Sequence, residues 1–515
     1  MPRPGVDVVI TDASAVGGTP LDSGQGFMLG LAERGPTDSP VELRSLRAYE
    51  RACGLRVGGA VAHDSVRAFF VNGGSILQFL RLAGAGAHVA EAEVGPLRVS
   101  ASSPGTWGNS LTVGLEADAG LLGRMMAAKS KTSRRARAQT RDDENGEDGG
   151  GGTDPGPPVV GPLVRVVVRR DGNAVERSQL VATAEDAVGW AEQFSAFVSL
   201  DADDFAATLA VTAPVTLAGG TNDGNVTPGV VADSLDHFGA GLGPGQVAYP
   251  GAIDPAVHAV ILDHAERFRR CALLDLDDAD EVTVASEVMG LYQYSGARFA
   301  AALAPRLRYV GPAPTTTILL PYSAAQMGVI ARRDRATGNP NEPAAGEVAY
   351  IVGARGLARE FSDDVREELN ELGVTLARVR GRPAATLTYG SRTCAGPSEP
   401  NWKWFGGSRV VMAITHEGDA GAEQFVHRQI DPQRRIFVAL NSVLTAICER
   451  YFALGALYGE TAEEAYQVDT SEAVNTDETI AAGEIHGLIR LATSPPGEWV
   501  LIEIAKQTTS LAAAA

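Results

Sequence analysis

The sequence predicts an α/β fold, from the rhythm of its apolar segments and its composition. Residues 26–35 are typical of a buried strand, 45–54 and 62–74 of two helices, and 75–84 of a second strand. The same alternation returns from about residue 245. Strands and helices in this order form layered α/β domains. A hydrophobic content of 44% and a charged content of 21% are those of a folded protein.

Helix boundaries carry their own signals. Ser45 is predicted to cap the first helix, and Gly54 to end it. Asp254 followed by Pro255 predicts a helix start, with the helix extending to 270. Further along the chain, we predict strands at 271–278, about 298–303 and 316–321. Helices are predicted at 281–294 and from Ser323 to Arg335, the second ending near Gly338. A helix followed by a strand is predicted within 365–380.

A region with a different pattern of residues interrupts this alternation of strands and helices. From about 101 to 225, short strands separated by Gly/Asn turns predict a small β domain inserted into the α/β one. Inside it, residues 124–141 carry seven Lys/Arg and no acid, and 142–154 carry six Asp/Glu and five glycines. Runs of this kind are typical of solvated chain, so we predict a disordered loop over 124–158.

Strand candidates lie near both ends of the chain. Residues 5–15 alternate apolar with other side chains, and a connector rich in Gly, Pro and Ser follows. Strands are also predicted at 465–472 and, joined by a Pro-Pro-Gly turn, within 484–507. The apolar positions of the two end strands are Val6, Val8 and Ile10, and Val500, Ile502 and Ile504.

A long amphipathic helix is predicted within 431–459. Its apolar stripe has spacings of 4, 3, 4 and 4 and consists of Ile436, Leu440, Val443, Ile447 and Tyr451. No run of about 18 apolar residues predicts a transmembrane helix, and the first 14 residues have no apolar core of signal-peptide length. We therefore expect synthesis in the cytoplasm and no membrane insertion.

Charge and cysteine usage narrow the function classes. The net charge of −19 argues against general binding of nucleic acid or of anionic membranes. The four cysteines stand far apart without zinc spacing, as expected for reduced thiols.

Catalytic motifs are missing from the sequence. It contains no GxSxG elbow and no Walker phosphate loop. Thr415-His416-Glu417 begins like a zincin helix, but Gly421 stands where the second histidine belongs. The run 241–247 precedes a strand, whereas a dinucleotide fingerprint follows one. We predict no catalytic residue, no cofactor and no metal.

Two clusters leave alternatives open. Asp275, Asp277, Asp278 and Asp280 end a predicted strand, where α/β sheets bind ligands, so a metal site competes with an acidic loop that caps the next helix. Distant residues can assemble a serine-protease triad, but His258 and His264 have no plausible nucleophile nearby in the sequence.

The segment 324–347 is rich in charge. Its arginines are predicted at the C-terminal end of a helix, where they complement the helix dipole and where no anion site is expected. Arg332, Arg333 and Asp334 are candidates for salt bridges to the core or to a neighbouring subunit, and 338–347 for a packing surface.

This segment resembles the signature region of contractile tail sheath proteins. The matching residues, in order, are Pro321, Ser323, Gly328, Ala331, Arg332, Asp334, Gly338, Pro343, Ala344 and Glu347. Residues 3–12 resemble the family's Pro-Gly-Val arm, and Arg392, Thr393 and Trp402 match its Arg-Thr pair and downstream tryptophan. Tyr389 replaces the usual tryptophan, and the loop 124–158 has no counterpart.

The resemblance implies both an architecture and a function. It implies a subtilisin-like α/β core without protease function, an inserted β domain, and an α+β C-terminal domain joined by the N-terminal arm. The predicted division is an arm (1–25), a first core part (26–100), the insertion (101–225), the remaining core (226–400) and the C-terminal domain (401–515).

The function implied is that of a non-enzymatic sheath subunit in a phage tail or a related injection particle. Such subunits form stacked six-fold rings around an inner tube, meet baseplate and terminator proteins, and contract by repacking without nucleotide hydrolysis. Residues 5–11 and 498–506 are then expected to pair as strands between subunits. The alternatives are a subtilisin-like hydrolase and another self-assembling tail or capsid protein.

Overall fold

The computed structural model of the protein describes residues 23–117, 163–381 and 384–498. The predicted strand at 5–11, the loop 124–158 and the strand containing Val500, Ile502 and Ile504 lie outside these residues. They therefore stay predictions.

Strands and α-helices occur throughout the described ranges. The strands are β1 (Gly26–Leu31), β2 (Val41–Leu43), β3 (Leu77–Leu82), β4 (Glu91–Val94), β5 (Leu97–Ala101), β6 (Leu111–Ala117), β7 (Val164–Arg170), β8 (Asn173–Arg177), β9 (Val198–Ala202), β10 (Thr212–Thr216), β11 (Gln246–Ala248), β12 (Cys271–Asp275), β13 (Ala300–Ala304), β14 (Leu307–Val310), β15 (Thr317–Leu320), β16 (Ala354–Leu357), β17 (Val374–Arg380), β18 (Ala385–Tyr389), β19 (Tyr466–Asp469) and β20 (Leu488–Leu491). The α-helices are α1 (Leu46–Cys53), α2 (Ala62–Val71), α3 (Ala184–Phe194), α4 (Pro228–Asp236), α5 (Pro255–Arg267), α6 (Glu281–Leu291), α7 (Tyr322–Thr337), α8 (Asp363–Glu371), α9 (Phe405–Ala422), α10 (Arg435–Ala453), α11 (Ala462–Ala465) and α12 (Asp477–Ala481).

A central sheet of eight strands has the order β18-β17-β13-β12-β11-β1-β3-β2. Its six inner strands run parallel. The edge strands β18 and β2 run antiparallel to their neighbours. The predicted α/β class is therefore confirmed.

Alternate residues of the central strands enter two different cores. In β12, Cys271 and Leu273 pack with α1, α2 and α7 on one face of the sheet. Ala272 and Leu274 pack with α4, α5, α6 and α8 on the other face. Both faces are covered by helices, as parallel sheets require.

The β-rich region differs from its prediction in two ways. Its strands form two antiparallel sheets, β10-β6-β7-β8 and β4-β5-β9, so strand pairing begins before residue 101. It also contains α3, which the sequence analysis missed and which packs in the same core. Thr183 and Asp186 form a capping box at the start of α3.

The C-terminal region has a smaller core, formed by α9, α10 and the two-stranded sheet β19-β20. The predicted stripe of α10 is confirmed: four of its members are buried, and Val443 is partly buried. By length and composition alone α10 could cross a membrane, contrary to the expectation from the sequence. One stripe of α10 packs in this core, and 39% of an 18-residue window of the helix is buried.

The predicted helix signals are confirmed. The Ala48 amide donates to Ser45 Oγ at 3.2 Å, and the Ala256 amide donates to Asp254 Oδ1 at 2.9 Å. At the end of α7, Gly338 has a φ of 67° in the left-handed region.

Candidate functional site

Helix α7 carries five of the ten family-motif residues of this segment and runs through the first core. All of its first ten residues are buried. It packs against α2 closely enough that a Cβ on Gly328 would lie 2.4 Å from the Phe69 carbonyl oxygen. A larger residue at 328 would therefore push the two helices apart.

Asp334 joins α7 to α9 through a buried ion pair with Arg409. Arg409 also donates to the Pro340 carbonyl oxygen at 2.9 Å, and Ser23 Oγ donates to Asp334 Oδ2 at 2.7 Å. The pair therefore ties three distant parts of the chain together. Sequence reasoning found Asp334 but missed Arg409, whose only signal is a lone cation in the apolar run 408–414.

Arg332 organises the segment that follows α7. Its guanidinium lies 4.1 Å from the centre of the Tyr350 ring and donates to the Tyr350 carbonyl oxygen at 2.6 Å and to the Asn72 carbonyl oxygen at 3.1 Å. Burial lowers the pKa of Arg332. Arg333 pairs with Glu342 at 2.6 Å. These arginines bind within their own chain.

Glu347 lies exposed at the beginning of a short 3₁₀ turn, Glu347–Ala349. No ion pair joins it to any residue in the described ranges. Together with Gly338 at the end of α7, it is thus an exposed member of the motif.

Arg392, Thr393 and Trp402 form a second cluster beside β18. Trp402 is buried edge-on against Phe299, with ring centres 5.2 Å apart, and its carbonyl oxygen accepts a hydrogen bond from Thr393 Oγ1. Arg392 donates two hydrogen bonds to the Glu498 carboxylate, at 3.0 and 2.6 Å. Burial works to raise the pKa of Glu498, but the hydrogen bond and charge of Arg392 leave it lowered.

The Arg392–Glu498 pair has a particular place in the chain. Glu498 is the last described residue, and the predicted strand at 500–504 follows it directly. The pair therefore holds the chain next to the predicted strand. Glu498 was not singled out from the sequence, because nothing local indicates a partner 106 residues away.

The sheet β19-β20 is the smallest of the described sheets. The two strands pair antiparallel from Tyr466 opposite Leu491 to Asp469 opposite Leu488. Within the ranges that the structure describes, neither strand has a second strand neighbour. Unpaired sheet edges are where further strands add, and Asn441 of α10 already donates to the Val468 carbonyl oxygen of β19 at 3.1 Å.

A serine, an aspartate and a histidine do meet at the start of α7. Ser323 Oγ donates to Asp275 Oδ2 at 2.5 Å, and the Ser323 amide donates to Asp275 Oδ1 at 2.9 Å. A ring nitrogen of His258 lies 2.9 Å from the Ala252 carbonyl oxygen. Burial raises the pKa of Asp275 and lowers that of His258.

This cluster is not arranged for nucleophilic catalysis. A nucleophilic serine donates its proton to a base such as histidine, and the base is oriented by a third group. Here the serine donates directly to the aspartate, and all three side chains are buried away from solvent. The arrangement fixes the N-terminus of α7 onto the end of β12.

The acidic side chains that follow β12 form an ion pair and a helix cap within the fold. Asp278 pairs with Arg306 at 2.6 Å, and Asp280 accepts a hydrogen bond from the Thr283 amide at 2.7 Å as the N-cap of α6. In the described part of the chain, no group of three His, Cys, Asp or Glu side chains could hold a metal ion. The capping interpretation is therefore confirmed for Asp280.

Comparisons with known proteins point to one class of structure. No protein-family profile matches the sequence, and no curated protein matches it. The sheath tail protein of Listeria innocua is similar in structure, with a TM-score of 0.61 and 15% identity over 94% of this chain and 96% of that chain.

Two sheaths of contractile particles are similar over nearly the full length. The helical sheath of the anti-feeding prophage in its contracted state has a TM-score of 0.54 and 15% identity, and covers 98% of this chain and 100% of that one. The contracted PVC sheath complex, from an extracellular contractile injection system, has a TM-score of 0.52 and 14% identity over 99% of each chain. The chain therefore has the fold of contractile tail sheath proteins, and the sheath fold that the sequence motifs led us to expect is confirmed.

Proposed function

We propose that this protein is a structural subunit of a contractile tail sheath. The observation that carries the proposal is that the fold matches sheath proteins over nearly the whole chain, two of them in contracted particles. The buried Ser323–Asp275 contact is consistent with a structural role.

The proposed assembly is a tube of stacked six-fold rings around an inner tube, bounded by baseplate and terminator proteins. The sheath would be made in a bacterial cytoplasm and would act in a phage tail or an injection particle. Contraction would release free energy stored in the extended lattice by repacking subunits, without nucleotide hydrolysis. The core would be subtilisin-like in topology without being a protease.

Strand exchange is the proposed link between subunits. Residues 5–11 and 498–506 would add as strands to β19-β20 of neighbouring subunits, and main-chain hydrogen bonds would supply the affinity. Two anchors support this. Gln25 Nε2 donates to the Leu242 carbonyl oxygen at 2.7 Å near the first described residue, and Arg392 holds Glu498 at the other end. Both terminal segments would then leave the subunit from fixed points.

The test is to delete residues 1–14 and to image the purified protein by negative stain. We expect the full chain to form striated tubes and the truncated chain to remain a folded monomer, because the packed cores of the described residues are built from residue 27 onward. A matched control deletes residues 142–154, which removes a similar length from the inserted region and should leave the tubes intact. Normal tubes from the 1–14 deletion would contradict strand exchange, whereas discrete particles from the full chain would contradict a sheath.

A further inference from the structure

A short apolar strip lies exposed beside α7. Val348, Tyr350 and Val352 are exposed to 49%, 47% and 38%, while Ala349 and Ile351 between them are buried in the first core. This alternation, which begins in the 3₁₀ turn and runs on to Val352, gives a short segment with one side in the core and an apolar side facing outward. We name these three exposed residues the apolar strip.

The apolar strip is held rigidly. Arg332 stacks on Tyr350 and donates to its carbonyl oxygen, and the Val352 amide donates to Asn72 Oδ1 at 2.8 Å. A surface ordered in advance loses little conformational entropy when a partner binds. An exposed apolar surface built in this way is typical of an interaction site.

Positive charge flanks the apolar strip. Arg335 lies one turn beyond Arg332 on α7, is exposed, and donates to the Gly73 carbonyl oxygen at 2.8 Å. Arg355 is exposed just after the strip. Glu347 is the one acid directly before it, so the balance around the strip is positive.

The opposite side of the molecule carries the complementary surface. Helix α8 exposes Asp364, Glu367, Glu368 and Glu371, none of which forms an ion pair within the described ranges. We name these four carboxylates the acidic face. Leu369 of the same helix packs in the second core, on the side of the central sheet away from the apolar strip.

Helix α6, which packs beside α8, adds apolar surface to the acidic face. Val282 and Met289 are exposed on α6 while Val284 and Val288 are buried in the second core. The apolar strip and the acidic face are therefore complementary. The strip has apolar and positive groups, and the acidic face with α6 has apolar and negative groups. Since they lie on opposite sides of the central sheet, one molecule cannot join them to each other.

We propose that the apolar strip of one copy docks on the acidic face and α6 of the next copy. The contact is head-to-tail, so it joins copies into a ring or an open helical array and does not form a two-fold dimer. This proposal rests on the proposed sheath function. It adds a second contact between subunits to the proposed strand exchange. Opposite charges across it would steer assembly and fix its register.

Charge reversal tests the contact. Arg335→Glu is expected to raise the critical concentration for tube formation by about tenfold or more, as is Glu367→Lys combined with Glu368→Lys. A chain that carries all three substitutions should recover tubes, because the charges again oppose. Arg44→Glu, at an exposed pair with Glu42 beside β2, is the matched control and should leave assembly unchanged. Circular dichroism confirms that each variant is folded.

Cross-linking separates this contact from the proposed function. All four native cysteines are buried, so Val352→Cys in one chain and Glu368→Cys in another provide selective sites for a bis-maleimide. A heterodimer of the two chains supports the contact even if no tubes form, in which case only the sheath proposal fails. Three results would each overturn the contact. They are normal tubes from Arg335→Glu, no heterodimer in assembled protein, and a cross-link from the thiol introduced at position 352 to a segment of its own chain.

Discussion

The central sheet and the C-terminal sheet differ in how far their strands are buried within one chain. Strands β3, β12 and β13 are buried at every residue, with helices on both faces and antiparallel strands at both edges. Strands β19 and β20 have no fully buried residue, and no second neighbour within the described ranges. The first region is complete within one chain, whereas we propose that the second is completed by neighbouring subunits. Stability of the monomer should therefore depend on the first region and assembly on the second.

The largest expected effect on the monomer comes from breaking the buried pair in the central region. Asp334→Ala leaves Arg409 buried without its partner, so the free energy of unfolding should fall by about 3–5 kcal/mol. Urea denaturation followed by tryptophan fluorescence measures it.

The control is Arg333→Gln, which removes a partly exposed pair with Glu342 and should cost no more than about 1 kcal/mol. Adding Arg409→Met to Asp334→Ala should recover part of the loss. Equal effects from Asp334→Ala and Arg333→Gln would show that burial does not govern this pair.

Acid should weaken the central region next. His264 is buried at the end of α5, where Arg270 Nη1 lies 3.1 Å from its Nε2. Burial first, and then the charge of Arg270, lower the pKa of His264 from 6.5 to about 3. The unfolded chain thus binds more protons between these values, so stability falls as pH drops through this window, with a slope of about 1.4 kcal/mol per pH unit.

Melting temperatures at pH 7 and pH 5 test this, with His264→Gln expected to flatten the dependence. His486→Gln, at an exposed histidine beside Glu484, is the control and should leave it unchanged. An unaltered pH dependence in His264→Gln would assign the acid sensitivity to other groups, of which His258 and His416 are the next candidates.

The smallest expected effect on monomer stability belongs to the anchor of the C-terminal segment. Arg392→Gln removes two charge-assisted hydrogen bonds to a half-buried Glu498, which should cost about 1–3 kcal/mol locally. The global melting temperature should shift little, while hydrogen exchange over 488–498 should accelerate and tube formation should weaken. Faster exchange throughout the central sheet would contradict a local anchor.

Local signals in the sequence were enough to predict many elements. Ser45, Asp254 and Gly338 mark helix ends through hydrogen bonds between near neighbours, and the α10 stripe follows from periodicity. Helix α9 was missed because its first turn contains Gly406 and Gly407, which disfavour helices. A Cβ on Gly406 would lie 2.4 Å from the Asn341 carbonyl oxygen, so packing requires the glycine there.

The motif residues could be picked from the sequence, but their partners could not. Arg409 and Asp334 are 75 residues apart, and Arg392 and Glu498 are 106 apart. No local pattern encodes such distances, because the fold alone brings these charges together. The order of the central strands is non-local for the same reason.

The central claim is that this protein acts as a sheath subunit and that strands from its neighbours complete β19-β20. A helical reconstruction of tubes formed by the full-length chain, by electron cryomicroscopy at a resolution that separates strands, tests it most directly. We predict that residues 5–11 and 498–506 appear as additional strands beside β19-β20, contributed by different subunits. A tube in which that sheet keeps two strands, or gains strands only from its own chain, would contradict the account.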